Sequence, residues 1–362
     1  MTTGVGIIGV APGRSWAAIA HIPALRALPA YDIVALSTTR QESATAAAAE
    51  FGVPAAYDNH QALVNDPAVD LVVVTVKVPH HLELVTAALN AGKHVYCEWP
   101  LGNNLAQAEQ MAALAKDKGV IGAVGMQAGA APAFNYVRDL IADGYVGEVL
   151  STTLVGSGMN WGAVIDQPNA YTADNANGAT LLTIPFGHTI DAVVACLGEF
   201  TSLNALLANR RTSFTLIPDG IEKPMTAHDQ LAVTGLLEGG AVATVHYRGG
   251  VSRGTNFRWE INGTQGDIVA TADGGHGQIY PLTLTGARGE EQALAPLPVP
   301  DSYHWVPDVS PPAENVAQAY AWLADDLRDG THKCRNFDDA VRRHRLIDAI
   351  ERSAATGQRV TF

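Results

Sequence analysis

A glycine-rich turn, Gly6-Ile-Ile-Gly9-Val10-Ala11-Pro-Gly13-Arg-Ser-Trp16, follows an apolar run near the start of the chain. Such a turn, between a first strand and a helix, suits a dinucleotide pyrophosphate. Backbone N–H groups and the helix N-terminus hold the anion, and small residues let the backbone approach. Ala11 replaces the second glycine of G-x-G-x-x-G and the turn is lengthened, so an ordinary tight turn fits as well. The candidate contacts are Gly9, Val10, Ala11, Gly13 and Trp16. The second apolar run ends in Ser37-Thr38-Thr39-Arg40, where an NAD site would carry an acid for the ribose 2′-hydroxyl. Hydroxyls and an arginine suit a 2′-phosphate, which favours NADP(H) over NAD(H) through Thr38, Thr39 and Arg40. The plain alternative is that Arg40 opens a solvated helix. Further along, Thr75-Val76-Lys77 closes an apolar run, with His81 just beyond, and these four are further candidate cofactor contacts. A lysine there reads as buried, which is costly without a partner or a lowered pKa.

The elements that would hold these groups fall into two textures. Over residues 4–127, the apolar runs Val5–Val10, Ile33–Leu36, Leu71–Val76, His94–Cys97 and Val120–Met126 alternate with helical stretches. Helices are predicted at Glu42–Phe51, His81–Ala91 and Leu105–Lys118, each followed by a glycine that fits a C-cap. Strand–helix alternation implies a doubly wound parallel sheet, a dinucleotide-binding domain over 1–127. Residues 128–362 read as an α+β domain with a large, mostly antiparallel open sheet. Its helices are Pro132–Ala142, 180–197, Ala313–Leu327 and Asp338–Ala354, the last two free to pack back on the first domain. Its strands are Val149–Val155, Leu231–Leu237, Ala241–Tyr247, Phe257–Ile261, Asp267–Ala270 and Gln278–Thr285, with a hairpin signal at Glu238-Gly239-Gly240.

Composition excludes several classes. Lys+Arg 23 minus Asp+Glu 36 leaves −13, a poor balance for nucleic acid. No run of 18 apolar residues suggests a membrane span. The N-terminus is apolar without a basic leader and reads as a buried strand. Three scattered cysteines form neither a disulfide framework nor a metal motif, which points to reducing cytoplasm. The 12 histidines show no metal-type pairing, and no G-x-S-x-G nucleophile is present.

Three longer stretches resemble the Gfo/Idh/MocA oxidoreductase family. Val69-Asp-Leu-Val-Val-Val-Thr75-Val76-Lys77-Val-Pro-His-His81 resembles a strand ending in A-T-P-N-x-x-H, with Lys77 at the proline. Ala91-Gly-Lys-His-Val-Tyr-Cys97-Glu98-Trp99-Pro100-Leu resembles A-G-K-H-V-x-x-E-K-P-L, with Trp99 at the lysine. Gly178-Ala-Thr-Leu-Leu-Thr183-Ile184-Pro-Phe-Gly187-His188-Thr-Ile-Asp191 resembles G-x-L-x-D-x-G-x-H-x-x-D without its first aspartate. The lengthened glycine loop with Trp16, the Glu98-Trp99 pair and the 183–191 run resemble a branch that includes a fungal galactose-pathway repressor.

The resemblance implies a Rossmann domain, a nicotinamide cofactor, and hydride transfer to or from a sugar, polyol or related hydroxy/oxo compound. It also implies a homodimer or homotetramer. The proton donor or acceptor would be Lys77, replacing the absent lysine, and/or His188, whose imidazole titrates near neutral pH. Lys77 at the cofactor ribose or in solvent, and His188 as a core histidine, are the alternatives. Glu98 would orient the cofactor or Lys77, and Gln127 would meet the nicotinamide end. Trp99 would stack on nicotinamide, floor the substrate pocket or simply pack. Asn160, Trp161, Tyr171 and Asp174 offer aromatic faces and polar groups suited to a sugar. The other reading is a dinucleotide-sensing regulator without turnover, which accounts for the lost lysine and aspartate.

Overall fold

A computed structural model describes residues 2–362 and divides the chain into two compact units. One runs through Ala130 and adds Trp305–His344; the other holds Ala131–His304 and Arg345–Phe362.

In the first unit, β1 (Thr3–Ile8), β2 (Tyr31–Ser37), β3 (Ala55–Tyr57), β4 (Leu71–Val74), β5 (His94–Glu98) and β6 (Gly122–Gly125) form one parallel sheet. Their order, β3-β2-β1-β4-β5-β6, is that of doubly wound dinucleotide-binding sheets. The continuous run Leu71–Val74 makes β4 a central strand, every residue of it fully buried. Pairing stops at Val74 rather than Val76, and the last strand shortens to Gly122–Gly125. Helices α1 (Ile22–Arg26), α2 (Gln41–Phe51), α3 (His60–Val64), α4 (His81–Asn90) and α5 (Leu105–Lys118) connect the strands. A π-helical turn, Ala17–His21, leads into α1. Asn104 caps α5 by accepting the Gln107 N–H at 3.1 Å. The late helix Ala313–Asp329 completes this core: Val316, Ala317, Tyr320 and Leu323 join the buried cluster of Val5, Ile7, Leu25 and Leu36.

The second unit begins with α6 (Pro132–Ala142), β7 (Val149–Ser157), β8 (Val164–Asp166) and α7 (Gly187–Leu197). There follow β9 (Phe200–Ala208), β10 (Ser213–Ile217), β11 (Ile221–Pro224), β12 (Gln230–Leu237), β13 (Val242–Arg248), β14 (Phe257–Gly263), β15 (Gly266–Ala272), β16 (Thr283–Arg288), β17 (Ala295–Pro296) and β18 (Val360–Thr361). Nine of these form one sheet ordered β17-β16-β15-β14-β7-β13-β12-β9-β18. It is antiparallel except where β7 pairs with β13. Strict alternation seats Ala243, Val245 and Tyr247 of β13 in the core while Val242, Thr244 and His246 face out. Tyr247 donates its hydroxyl to Thr189 Oγ1 at 2.8 Å, which ties α7 to the sheet. The strand predicted at Gln278–Thr285 is displaced to Thr283–Arg288. A small sheet, β11-β10-β8, was not anticipated, because 213–224 alternates only briefly and carries Pro218 between its strands. The remaining helices are α8 (Ala313–Asp329) and α9 (Phe337–Thr356). Among the described residues, no helix is long and apolar enough to cross a membrane.

Candidate functional site

In the first sheet β1 and β4 are neighbours, and the strand order reverses there. Ligands of open α/β sheets bind beyond the carboxyl ends of the strands at such a point. β1 leaves the sheet at Gly9, with φ of +103°. A Cβ at Gly9 would lie 2.7 Å from Val76 Cγ1, so backbone and Val76 approach as only glycine permits. Ser15 holds the lengthened turn: its Oγ accepts the Ala11 N–H at 2.9 Å and donates to the Ala11 carbonyl at 2.8 Å. Sequence reading passed over Ser15, although a serine before a helix is an N-cap signal. Pro12 and Gly13 stay exposed. Trp16 Nε1 is a buried donor without a hydrogen-bond partner.

Beyond β2, Thr38 Oγ1, Ser43 Oγ and the Arg40 carbonyl form a triangle with sides of 2.6, 2.8 and 2.9 Å. Thr38 therefore spends its hydroxyl on the turn, and Thr39 and Arg40 are the exposed groups at this edge. Beyond β4, Thr75 donates its hydroxyl to the Ile8 carbonyl at 2.9 Å and closes the switch point. Val76 is half-buried, but Lys77 is exposed, which corrects the expectation of a buried amine. The chain has already left the sheet there, so the side chain stands at its lip.

His81, expected at the cofactor, has both ring nitrogens on backbone carbonyls: Nδ1 is 2.9 Å from Pro100 O and Nε2 3.0 Å from Val76 O. It clasps the loop after β4 to the loop after β5. A neutral imidazole has one N–H for these two acceptors. Protonation would satisfy both, yet desolvation holds the pKa below the usual value.

Glu98, at the end of β5, is the hub of a buried polar set. Its Oε1 accepts from Gln127 Nε2 at 2.7 Å and lies 3.2 Å from His21 Nε2, an ion-pair separation off the line of a hydrogen bond. His21 is fully buried and meets the Tyr320 hydroxyl through Nδ1 at 2.7 Å. Gln127 is 1% exposed, and its Oε1 has no partner. Neither His21 nor Tyr320 was signalled by the sequence, because they come from two helices far apart in the chain. Trp99 is buried with its indole against the His344 ring, centroids 4.7 Å apart.

In the second unit His188 follows a π-helical turn, Leu182–Phe186, and sits in the first turn of α7. Burial, then the neighbouring His276, pulls its pKa down to about 3. The expectation of titration near neutral pH is corrected: His188 is neutral, and its Nδ1 has no hydrogen-bond partner. His276, itself lowered to about 4 by burial, accepts the Met159 N–H on Nε2 at 3.2 Å. Trp161 is also corrected. It is 1% exposed, donates Nε1–H to the Thr172 carbonyl at 2.9 Å and stacks on His276, so it packs the interior instead of offering a sugar face. Its φ of +61° is strained for a bulky residue. Asp174 spends its carboxylate on the Ala176 N–H and the Thr226 hydroxyl. It lines a cleft of about 230 Å³ with Phe214, Leu216 and Lys223, below the usual volume of a ligand pocket. Asn160 and Tyr171 are half-buried. No three His, Cys, Asp or Glu side chains among the described residues are placed to hold a metal ion.

The first unit thus offers what a nicotinamide dinucleotide needs: a turn with no room for a Cβ at Gly9 and a buried, unused acceptor at Gln127. Comparison with known proteins bears on this geometry. Residues 3–126 match a family model described as an oxidoreductase family with an NAD-binding Rossmann fold, and residues 132–272 match one described as the Gal80p C-terminal domain. Dehydrogenase aclE of Aspergillus oryzae is 31% identical over 350 residues, spanning 92% of this chain and 89% of that protein. Levoglucosan dehydrogenase of Pseudarthrobacter phenanthrenivorans is 29% identical, over 74% of this chain and 71% of its own. The regulatory protein GAL80 of Saccharomyces cerevisiae is 29% identical, over 80% of this chain and 72% of its own. Its super-repressor mutant structure superposes with a TM-score of 0.90 at 25% identity, covering 100% of this chain and 98% of that one. A levoglucosan dehydrogenase complex with NADH and levoglucosan superposes at 0.87 and 23% identity, covering 100% and 99%, and shows likeness of fold.

Proposed function

As the chain belongs to the Gfo/Idh/MocA oxidoreductase family and carries a Gal80-type C-terminal domain, we propose that it is an NADP(H)-dependent dehydrogenase or reductase of a sugar, polyol or related hydroxy/oxo compound. The observation that carries this reading is the 31% identity to a dehydrogenase along 92% of the chain. The name levoglucosan dehydrogenase supports a sugar-like substrate. Exposed Thr39 and Arg40, with no acid beside them at the end of β2, support a 2′-phosphate.

A bound nicotinamide supplies or receives the hydride. The chain's own residues do the rest. The Gly9 turn and Ser15 shape a backbone anion cradle, and Thr75 and His81 fix the lip from which Lys77 projects. Lys77, exposed, is suited to give a proton to an alkoxide oxygen from its ammonium form, or to take one from a hydroxyl as the free amine. His188 is suited to a different task. Held neutral, with Nδ1 unused, it can accept a hydrogen bond from a substrate hydroxyl.

The test is a screen of sugars, polyols and their oxo forms with NADP(H) and NAD(H), followed by nicotinamide absorbance. Substrate-dependent turnover that falls at least about a hundredfold in Lys77→Met supports the reading, since general acid–base groups contribute on that scale. Normal turnover in that variant removes Lys77 from the chemistry. The second reading, a dinucleotide-sensing regulator, is favoured by the GAL80 likeness and by buried Trp99 at the family's lysine position. Dinucleotide binding without turnover on any compound supports it.

A further inference from the structure

We infer that Gln127 reads the carboxamide of the nicotinamide through its side-chain oxygen, and that Glu98 and His21 are positioning residues that fix which end of the Gln127 amide is presented. The inference rests on the reading of this chain as a nicotinamide-dinucleotide binder and adds which atom recognises the ring.

The orientation follows from chemistry. A glutamine amide has one donating and one accepting end, and either end can face a neighbour. Gln127 lies 2.7 Å from Glu98 Oε1. A carboxylate oxygen accepts, and it is the NH₂ end of Gln127 that donates to it. The oxygen is then forced to the other side, where it has no partner although the residue is 1% exposed. A buried acceptor without a donor costs about 1–3 kcal/mol, so a fold keeps one where a ligand supplies the donor. The carboxamide NH₂ of nicotinamide is such a donor, and Gln127 stands just past the carboxyl end of β6.

Two features hold the arrangement. His21, fully buried, brings Nε2 to 3.2 Å from the same Glu98 oxygen. Its Nδ1 meets the Tyr320 hydroxyl at 2.7 Å, which holds the ring beside Glu98. Gly125 supplies the room: a Cβ there would stand 2.2 Å from Glu98 Oε1 and 2.9 Å from Gln127 Nε2. Glycine at the end of β6 is what lets the two side chains meet.

The experiment measures dissociation constants of NADPH and NADH, and of their 3-acetylpyridine counterparts, by quenching of tryptophan fluorescence without substrate. The acetylpyridine ring keeps the carbonyl and replaces NH₂ by methyl, so it offers Gln127 no donor. The wild-type protein is expected to bind the natural dinucleotide about tenfold more tightly, the worth of one buried hydrogen bond. Gln127→Met should bind both rings alike. Glu98→Gln, whose amide lets Gln127 turn over, should narrow the preference while binding persists. Equal affinity of the wild-type protein for both rings overturns the inference and leaves the dinucleotide reading standing. No binding of either natural dinucleotide overturns that reading itself. A preference that survives in Gln127→Met assigns it to another group and likewise overturns the inference.

Discussion

The indole of Trp99 lies 4.7 Å, centroid to centroid, from the imidazole of His344, at an interplanar angle of 46°. Both rings are buried, and His344 Nε2 has no hydrogen-bond partner. The position at which the E-K-P motif of the resemblance would place a lysine is here part of a packed aromatic pair. Trp99→Lys would remove that packing and place an ammonium in an apolar site. The expected result is a loss of roughly 3–5 kcal/mol of stability, read by denaturant unfolding, with no gain in turnover. A rise in turnover would show that Lys77 is not the proton carrier.

His344 also makes stability depend on pH. Burial lowers its pKa from 6.5 to about 4, so the unfolded chain takes up a proton that the folded one refuses. This contribution is fully present above pH 6.5 and is lost as pH falls toward about 4. The slope is about 1.4 kcal/mol per pH unit for one group. His344→Phe, which keeps a ring against Trp99, should make the fall in Tm between those pH values shallower by this group's share, while buried His188 and His276 keep theirs. An unchanged profile would contradict the assignment.

Gly9→Ala tests the turn. The new Cβ meets Val76 at 2.7 Å in a left-handed conformation, at a cost of about 1–3 kcal/mol. Dinucleotide affinity should fall at least about tenfold, because the backbone can no longer approach the anion. Fluorescence quenching by NADPH reads this directly.

Arg40→Ala tests the cofactor preference. NADPH should bind about tenfold to a hundredfold less tightly, the loss of one charge-assisted contact, while NADH binding stays level. A parallel loss for both would mean that Arg40 serves the turn and not the 2′-phosphate.

The first sheet was legible because parallel strands buried on both faces must be continuous apolar runs. Leu71–Val74 could be little else, and Leu105–Lys118 ends at a left-handed glycine as its sequence suggests. Short strands on sheet edges were not legible: Ala55–Tyr57 and Ile221–Pro224 bury too little to impose a pattern. At the candidate site, the backbone-shaping residues could be read from the glycine turn, but side-chain partnerships could not. His21 and Tyr320 are 299 positions apart, and no local spacing encodes their contact. Burial also redirected residue roles. Trp161 looked like a sugar platform by type alone, and only its enclosure shows that both its face and its N–H are used.

The first unit is discontinuous, and that orders events during synthesis. Its core is open until the segment carrying Tyr320 and Leu323 has emerged, because these side chains belong to the cluster built around β1 and α1. In the second unit, β7 waits for its sheet neighbours β13 and β14, which are complete only at Gly263. A ribosome must therefore deliver the chain through Leu323 before the first core can close, and long-range pairing of this kind is slow and exposes apolar strands meanwhile. Truncations upstream of Tyr320 should therefore accumulate as aggregates, not as a free dinucleotide-binding domain.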